Sequence, residues 1–221
     1  MRRLVILVVS TFSLLAAFLA PATPVQAAGH EPIVFVHGWN SNGSTWDTMK
    51  GRFAADGWSA SELNAWTYNT AQSNATTATQ LASFIDDVRA QTGAAQVDLV
   101  THSMGGLSSR YYLKNLDSTG KVDEWVSLGG PNHGTESANG CIQTSCVEMR
   151  PGSTFLKNLN QGDETPGAFR YGTFWSNCDG VIFPADSTVL AGAVNTNVGC
   201  VTHSGLHENA GVYAQVRDFV Q

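Results

Sequence analysis

The chain has 221 residues with 12 basic and 18 acidic side chains, which gives a formal net charge of −6 at pH 7. An acidic chain without a lysine or arginine cluster is a poor candidate for nucleic-acid binding. Its hydrophobic content of 43% also excludes a disordered chain and predicts a folded globular protein.

The N-terminus has the pattern of a secretory signal peptide. Two arginines follow the first Met, residues 4–20 are uncharged and strongly apolar, and Val25-Gln26-Ala27 places small residues at a cleavage site. We expect residues 1–27 to be removed and residues 28–221 to form one secreted, extracellular domain. The alternative is an uncleaved anchor, since the apolar run nearly spans a bilayer. The prolines and small residues before the cleavage site favour cleavage.

The remaining chain is more acidic, because the leader removes two of the 12 basic residues and no acidic one, leaving a net charge of −8. Its length suits one domain with a substantial core. It contains no second long apolar run and no basic amphipathic helix, so we expect no transmembrane segment and no helix that binds anionic membranes. We expect a monomer.

Strand-like and helix-like patterns alternate along the mature chain. Apolar runs predict strands over residues 32–36, 63–68, 97–100, 122–128 and 170–175 and within 189–198. Helical patterns are found over residues 46–56, 74–92, 107–116 and 153–159 and from Asn209 onward. Asn74 is the expected N-cap of the clearest helix, and Gly93 ends it. This alternation predicts an α/β fold with a mostly parallel sheet flanked by helices on both faces.

Residues 131–168 interrupt this alternation with two cysteines, a proline and a glycine. We expect this segment, called the insertion below, to cross the surface beside the mouth of a functional site. In parallel sheets such sites form where the strands end.

A serine follows the strand at 97–100 in the segment His102-Ser103-Met104-Gly105-Gly106. A sharp turn between strand and helix would expose the Ser103 hydroxyl, and the Met104 N–H at the helix start would face a developing oxyanion. Thr101 stands where the first glycine of such a turn is usual. The alternative is an exposed serine in an ordinary loop.

A serine hydroxyl needs a histidine base and an orienting carboxylate, and in this type of fold they follow the serine as acid, then base. His203, in a loop before the last helix, is the predicted base, and His207 is the alternative. Asp179 follows the strand 170–175 and is the predicted acid, with Asp186 as its competitor. His133 precedes every candidate acid, which breaks the order.

The residue after His37-Gly38, Trp39, is the expected second donor of an oxyanion hole, although simple packing of its ring is the alternative. Four cysteines fit an oxidising compartment and permit three pairings. We favour Cys178–Cys200, which would hold the acid loop against the base loop, together with the short loop Cys141–Cys146. Zinc binding is disfavoured, because the C-x-x-C spacing is missing.

Together, the motifs resemble the small secreted bacterial lipases of the class 2 group, within the α/β-hydrolase superfamily. The segments that carry the resemblance are Pro32-Ile-Val-Phe-Val-His-Gly, Val97-Asp-Leu-Val-Thr-His-Ser-Met-Gly-Gly, Tyr111-Tyr-Leu-Lys-Asn-Leu, Val126-Ser-Leu-Gly-Gly, Asn177-Cys-Asp-Gly-Val-Ile and Thr202-His-Ser-Gly-Leu. Members of this group also have a residue other than glycine before His-Ser-Met-Gly. The two disulfides and the longer insertion depart from the group and leave open whether the site is lidded.

The resemblance implies catalytic positions at Ser103, Asp179 and His203 and oxyanion donors at the backbone of Trp39 and Met104. It implies a triacylglycerol lipase that acts at a lipid–water interface by an acyl-enzyme mechanism, without metal or cofactor. Rival enzyme classes are a carboxylesterase, a polyester hydrolase and a phospholipase, and the non-enzyme possibility is a catalytically silent binding protein. Six apolar residues next to the site residues give partial support for a lipid substrate: Trp39, Met104, Val181, Ile182, Phe183 and Leu206.

Overall fold

The computed structural model describes residues 29–221, so the expected leader lies outside the described residues. Six parallel strands form one sheet in the order β2-β1-β3-β4-β5-β6. The strands are β1 (Ile33–Val36), β2 (Leu63–Trp66), β3 (Val97–His102), β4 (Val122–Leu128), β5 (Arg170–Trp175) and β6 (Val194–Asn197). The predicted α/β class with a parallel sheet is confirmed, and β4 and β5 have the predicted bounds.

Helices cover both faces of the sheet. They are α1 (Asp47–Ala55), α2 (Asn74–Thr92), α3 (Gly105–Asn115), α4 (Thr144–Met149), α5 (Thr154–Asn160) and α6 (Ala210–Phe219). Side chains of β1 alternate between two cores: Val34 belongs to the core with residues of α2, α3 and α5, and Phe35 to the core with residues of α1 and α6. This alternation follows from the two-residue period of a strand, and it explains why β1 is apolar throughout.

The clearest predicted helix begins one residue from its expected cap. Ser73, not Asn74, is the N-cap of α2, and its side chain accepts a hydrogen bond from Ala75 N–H. Asn74 is the first helical residue, and its side chain donates to Glu148 instead. Either residue type caps a helix well, so the tertiary contact decides between them. Gly93 ends α2 with a φ of 75°, as predicted.

The insertion is held firmly against the rest of the domain, and it contains the helix α4, which the sequence did not predict. The Glu148 carboxylate accepts hydrogen bonds from Ser73 Oγ and Asn74 N, each at 2.7 Å. Ser145 Oγ donates to Thr70 O at 2.6 Å. Further along, Lys114 Nζ donates to three carbonyl oxygens of residues 159–163. The insertion is therefore a fixed wall in this structure.

None of the helices found between residues 29 and 221 is both long enough and apolar enough to cross a bilayer.

Candidate active site

Ser103 lies on the sharp turn between β3 and α3, where the sequence predicted it. Its φ of 54° is in the left-handed region, which a residue with a side chain rarely adopts. Its N–H is fixed by a hydrogen bond of 2.9 Å to Leu128 O at the end of the neighbouring strand. Backbone strain of this kind persists only where the surroundings hold it, and it clusters at functional sites. The turn thus marks Ser103 as a candidate nucleophile.

Glycines around this turn allow the backbone segments to approach closely. A Cβ atom on Gly38 would lie 2.8 Å from Ser103 Cβ, and one on Gly105 would lie 2.5 Å from Val36 O. Thr101, which replaces the usual first glycine, is buried and donates from Oγ1 to Val126 O at 2.8 Å. The turn accommodates a threonine because its hydroxyl finds an acceptor in β4.

The predicted acid and base are in direct contact. His203 Nδ1 lies 2.8 Å from Asp179 Oδ2, and His203 N–H donates to Asp179 O at 2.9 Å. The second carboxylate oxygen, Oδ1, accepts from the N–H groups of Val181 and Ile182 at 2.9 and 2.6 Å. Because Oδ2 can only accept from an imidazole, this pairing assigns the proton to Nδ1 and leaves Nε2 free as a base.

A disulfide joins the loops that carry this pair. Cys178 is bonded to Cys200 with a Cα–Cα distance of 4.8 Å, and Cys141 is bonded to Cys146 with one of 5.9 Å, which are the favoured pairings. Ser176, whose role the sequence did not reveal, strengthens the connection that Cys178–Cys200 makes between these loops. Its hydroxyl donates to Gly199 O and accepts from the N–H groups of Cys178 and Val201 at 3.0 and 2.8 Å.

Gly129 is a second residue whose role the sequence did not reveal, although it belongs to the segment Val126-Ser-Leu-Gly-Gly. It follows β4 with a φ of 55°, and a Cβ atom there would lie 2.9 Å from Asp179 Oδ2 and 3.2 Å from His203 Nδ1. The acid–base pair therefore occupies space that only a glycine leaves free. The Gly129-Gly130 dipeptide directly after a predicted strand was the available indication, because sites form at strand ends.

His102 contacts the backbone of the candidate base. Its Nε2 lies 3.0 Å from His203 O, and the two rings are 4.4 Å apart. Burial lowers the pKa of His102 well below its ordinary value, and the nearby His203 and His207 lower it further. A neutral ring that donates from Nε2 to the carbonyl would help to hold the His203 backbone in place.

The competing residues have different partners, although His207 lines the same pocket and its ring lies 4.7 Å from that of His102. His207 contacts Thr45 Oγ1 at 3.4 Å, and no carboxylate among the described residues is bonded to its ring. His133 pairs with Glu164 at 2.7 Å in the insertion. Asp186 belongs to a short 3-10 helix, Ala185–Thr188, and forms no ion pair with a histidine of the described chain. The geometry thus favours Asp179 and His203 over their competitors.

Two backbone N–H groups next to Ser103 have no acceptor among residues 29–221. They belong to Trp39, in the loop after β1, and to Met104, at the N-terminus of α3. These are the groups that the sequence predicted as oxyanion donors. Because an N–H near a helix N-terminus favours negative charge, Met104 is well placed for that role.

Ser103 and His203 line one pocket of about 270 Å³. Residues of the insertion form part of its wall: Thr135, Ser137, Ala138, Cys141 and Met149. Of the six apolar residues predicted near the site, Trp39, Val181 and Ile182 line the pocket, Phe183 is exposed, and Met104 and Leu206 are buried in the core. Within the described part of the chain, no cluster of three or more His, Cys, Asp or Glu residues is arranged to hold a metal ion.

Comparison with known proteins identifies the family of this chain. Residues 30–204 match the family model described as lipase (class 2). The chain belongs to this family. It is a lipolytic ester hydrolase with the α/β-hydrolase fold.

Individual relatives are more distant. A triacylglycerol lipase of Pseudomonas fragi is 35% identical over 80 residues, which cover 36% of this chain and only 26% of that relative. The crystal structure of the mature Bacillus licheniformis lipase BlEst2 superposes with a TM-score of 0.79 at 20% identity, covering 88% of this chain and 94% of that one. Aspergillus fumigatus lipase B gives 0.70 at 19% identity, covering 86% and 52%. The two structures support the fold.

Proposed function

We propose that this class 2 lipase is a secreted triacylglycerol lipase that forms an acyl-enzyme on Ser103. The observation that carries the proposal is the contact of 2.8 Å between His203 Nδ1 and Asp179 Oδ2, in a pocket that Ser103 also lines. The match to a triacylglycerol lipase over part of the chain supports the choice of ester.

In the first half of the reaction, His203 Nε2 takes the Ser103 proton as the hydroxyl attacks the ester carbonyl. Asp179 holds the imidazole in its Nδ1–H form and stabilises the imidazolium. The N–H groups of Trp39 and Met104 bind the tetrahedral oxyanion, each contributing roughly 3 kcal/mol to lowering the barrier. His203 then gives its proton to the departing alcohol, which leaves an acyl group on Ser103.

In the second half, water attacks the acyl carbonyl while His203 Nε2 accepts one of its protons. The same two N–H groups bind the second oxyanion, and the carboxylic acid leaves as Ser103 recovers its proton from His203. Every proton moves between substrate, water and these two side chains.

The substrate side of the proposal rests on the pocket. No aspartate, glutamate, lysine or arginine is among the residues that line it. An uncharged wall suits a neutral ester with an apolar acyl chain, since a charged group there would lose its hydration without a partner. We therefore expect triacylglycerols to be preferred over esters with charged head groups.

Ser103→Ala tests the mechanism. We expect kcat/KM for a soluble p-nitrophenyl ester to fall by at least about 10³-fold, and an organophosphonate to label Ser103 in the parent protein and nothing in the variant. Ser204→Ala, at another serine that lines the pocket, is the control and should keep activity. Near-normal hydrolysis by Ser103→Ala would refute the mechanism.

A chain-length series tests the substrate. Triacylglycerols and p-nitrophenyl esters of increasing acyl length, assayed below and above their solubility limit, should show higher rates on emulsified triacylglycerols. A rate confined to short dissolved esters would indicate a carboxylesterase. Faster fatty-acid release from phospholipid would indicate a phospholipase, and faster cleavage of a polyester film would indicate a polyester hydrolase.

The secreted location is part of the proposal. Both disulfides fit an oxidising compartment. N-terminal sequencing of the protein from culture medium should give a start near Ala28. A retained residue 1 in a membrane fraction would indicate an uncleaved anchor instead.

A further inference from the structure

Exposed apolar side chains gather around the entrance of the pocket. Between residues 29 and 221, six large hydrophobic side chains are exposed, and four of them belong to this group, called the apolar rim: Trp39 (38%), Ile142 (90%), Val181 (41%) and Phe183 (62%). Trp39 and Val181 line the pocket directly. Ile142 follows Cys141 and Phe183 follows Ile182, both of which line the pocket. A concentration of this kind on a protein surface marks an interaction site.

The most exposed of these residues is held in place by its neighbours. Ile142 lies between the half-cystines Cys141 and Cys146, and Arg150 donates to Cys141 O at 2.7 Å and to Ala138 O at 3.2 Å. The backbone beside Ile142 is therefore anchored on both sides. A fixed loop that exposes an isoleucine to water keeps apolar surface hydrated, which is unfavourable. Covering that surface with an apolar partner lowers the free energy.

The rim also has no formal charge. The loops that carry it, residues 39–46, 137–147 and 180–185, contain no aspartate, glutamate, lysine or arginine. Two exposed carboxylates border these loops, Glu136, whose N–H donates to Phe183 O at 2.9 Å, and Asp186, while the Glu148 carboxylate is bound by the N-terminus of α2. The chain without its first 27 residues nevertheless has a net charge of −8, because ten basic residues face 18 acidic ones. The charges therefore lie outside these loops.

We propose that the apolar rim seats the enzyme on an uncharged lipid surface and disfavours an anionic one. This inference rests on the proposed lipase function, because the rim surrounds the pocket that contains Ser103. Burial of the rim supplies attraction to either surface, while no lysine or arginine in these loops offers a partner to the uncompensated negative charge of an anionic head group. The overall negative charge adds repulsion from anionic lipid, which salt weakens.

Binding is measured by vesicle co-sedimentation with Ser103→Ala, so that the lipid is not consumed. We expect binding to pure phosphatidylcholine vesicles and to a phosphatidylcholine-coated triacylglycerol emulsion. Replacing about a third of the phosphatidylcholine by phosphatidylglycerol should weaken binding severalfold at low salt, because the surface becomes negative. The difference should disappear near 1 M salt, where the screening length is about 3 Å.

Variants locate the contact. Ile142→Ser and Phe183→Ser, each in the Ser103→Ala background, should lower the affinity for phosphatidylcholine about tenfold, as expected for withholding one large apolar side chain from burial. Val194→Ser is the matched control, because Val194 is 60% exposed on β6 but does not line the pocket, and its affinity should not change. Ile142→Lys should gain affinity for vesicles that contain phosphatidylglycerol.

Three results would overturn the proposal: tighter binding to phosphatidylglycerol by the parent, equal losses in Val194→Ser and the rim variants, or a dimer in solution that the rim variants dissociate. Rim variants with an intact Ser103 should hydrolyse a soluble ester normally, which shows that they fold. If Ser103→Ala hydrolyses that ester, the proposed mechanism fails whatever the vesicle result. If Ser103 is required but the lipid preference is absent, only the rim proposal fails.

Discussion

Gly129→Ala tests whether the acid–base pair depends on the empty space beside it. The new Cβ would lie 2.7 Å from Leu206 Cδ1, 2.9 Å from Asp179 Oδ2 and 3.2 Å from His203 Nδ1. Ordinary contacts of these atoms lie beyond about 3.4 Å, so the carboxylate would have to move by about half an ångström. Alanine at a φ of 55° adds a backbone cost of about 1 kcal/mol.

The overpacking of three contacts costs about 1–3 kcal/mol more, so the free energy of unfolding should fall by about 2–4 kcal/mol in total. For a domain of this size each kcal/mol lowers Tm by about 2–4 °C. Displacing the acid and base by this amount should lower kcat about 10-fold to 100-fold. Thermal unfolding followed by circular dichroism and turnover of a p-nitrophenyl ester measure the two effects.

Gly120→Ala is the matched control. Gly120 has a φ of 70°, and a Cβ atom there would meet nothing within 4 Å. This variant should therefore lose about 1 kcal/mol of stability with no change in kcat. If Gly129→Ala and Gly120→Ala have the same kcat, the packing of Gly129 against the pair has no catalytic consequence and the reasoning is wrong.

Two further predictions concern stability. Burial first, and the nearby Glu124 second, raise the pKa of Asp98 well above its ordinary value. The contribution of this carboxyl to stability is therefore full below its unfolded pKa near 4 and is lost as pH rises from there through its raised folded pKa. Asp98→Asn should therefore raise Tm at pH 7 more than at pH 4, and an equal change at both pH values would contradict the assignment. Replacing both half-cystines of Cys178–Cys200 by serine should cost about 3 kcal/mol for its 22-residue separation and should lower kcat. The same change at Cys141–Cys146, five residues apart, should cost about 2 kcal/mol and leave turnover of a soluble ester unchanged. Denaturant titration measures the stability of each double variant, and an ester assay measures its turnover.

Much of the fold follows from local pattern. The strands β4 and β5 have the predicted bounds because their apolar runs are bracketed by turn residues. Helix α4 escaped prediction, since six residues give too little periodicity for a helix to be recognised. Its place is set instead by the hydrogen bonds of Glu148 and Ser145 to residues before and within α2.

The candidate site was also predictable only in part from the sequence. The strand–turn–helix pattern around Ser103 and the order of acid before base are properties of the sequence. They left His207 and Asp186 as competitors, because order along the chain does not say which side chains meet. The contact between Asp179 and His203 joins residues 24 positions apart, and that between His102 and His203 joins residues 101 apart.

Local patterns along the chain specify the alternation of strands and helices, the turn at Ser103 and the candidates for its partners, since each depends on residues that are neighbours in the sequence. The folded structure is needed to show which acid meets which base, why Gly129 must lack a side chain, and that the insertion is a wall anchored to α2. These features depend on the spacing of adjacent strands and on the packing of loops at their ends, which bring together residues that no local pattern connects.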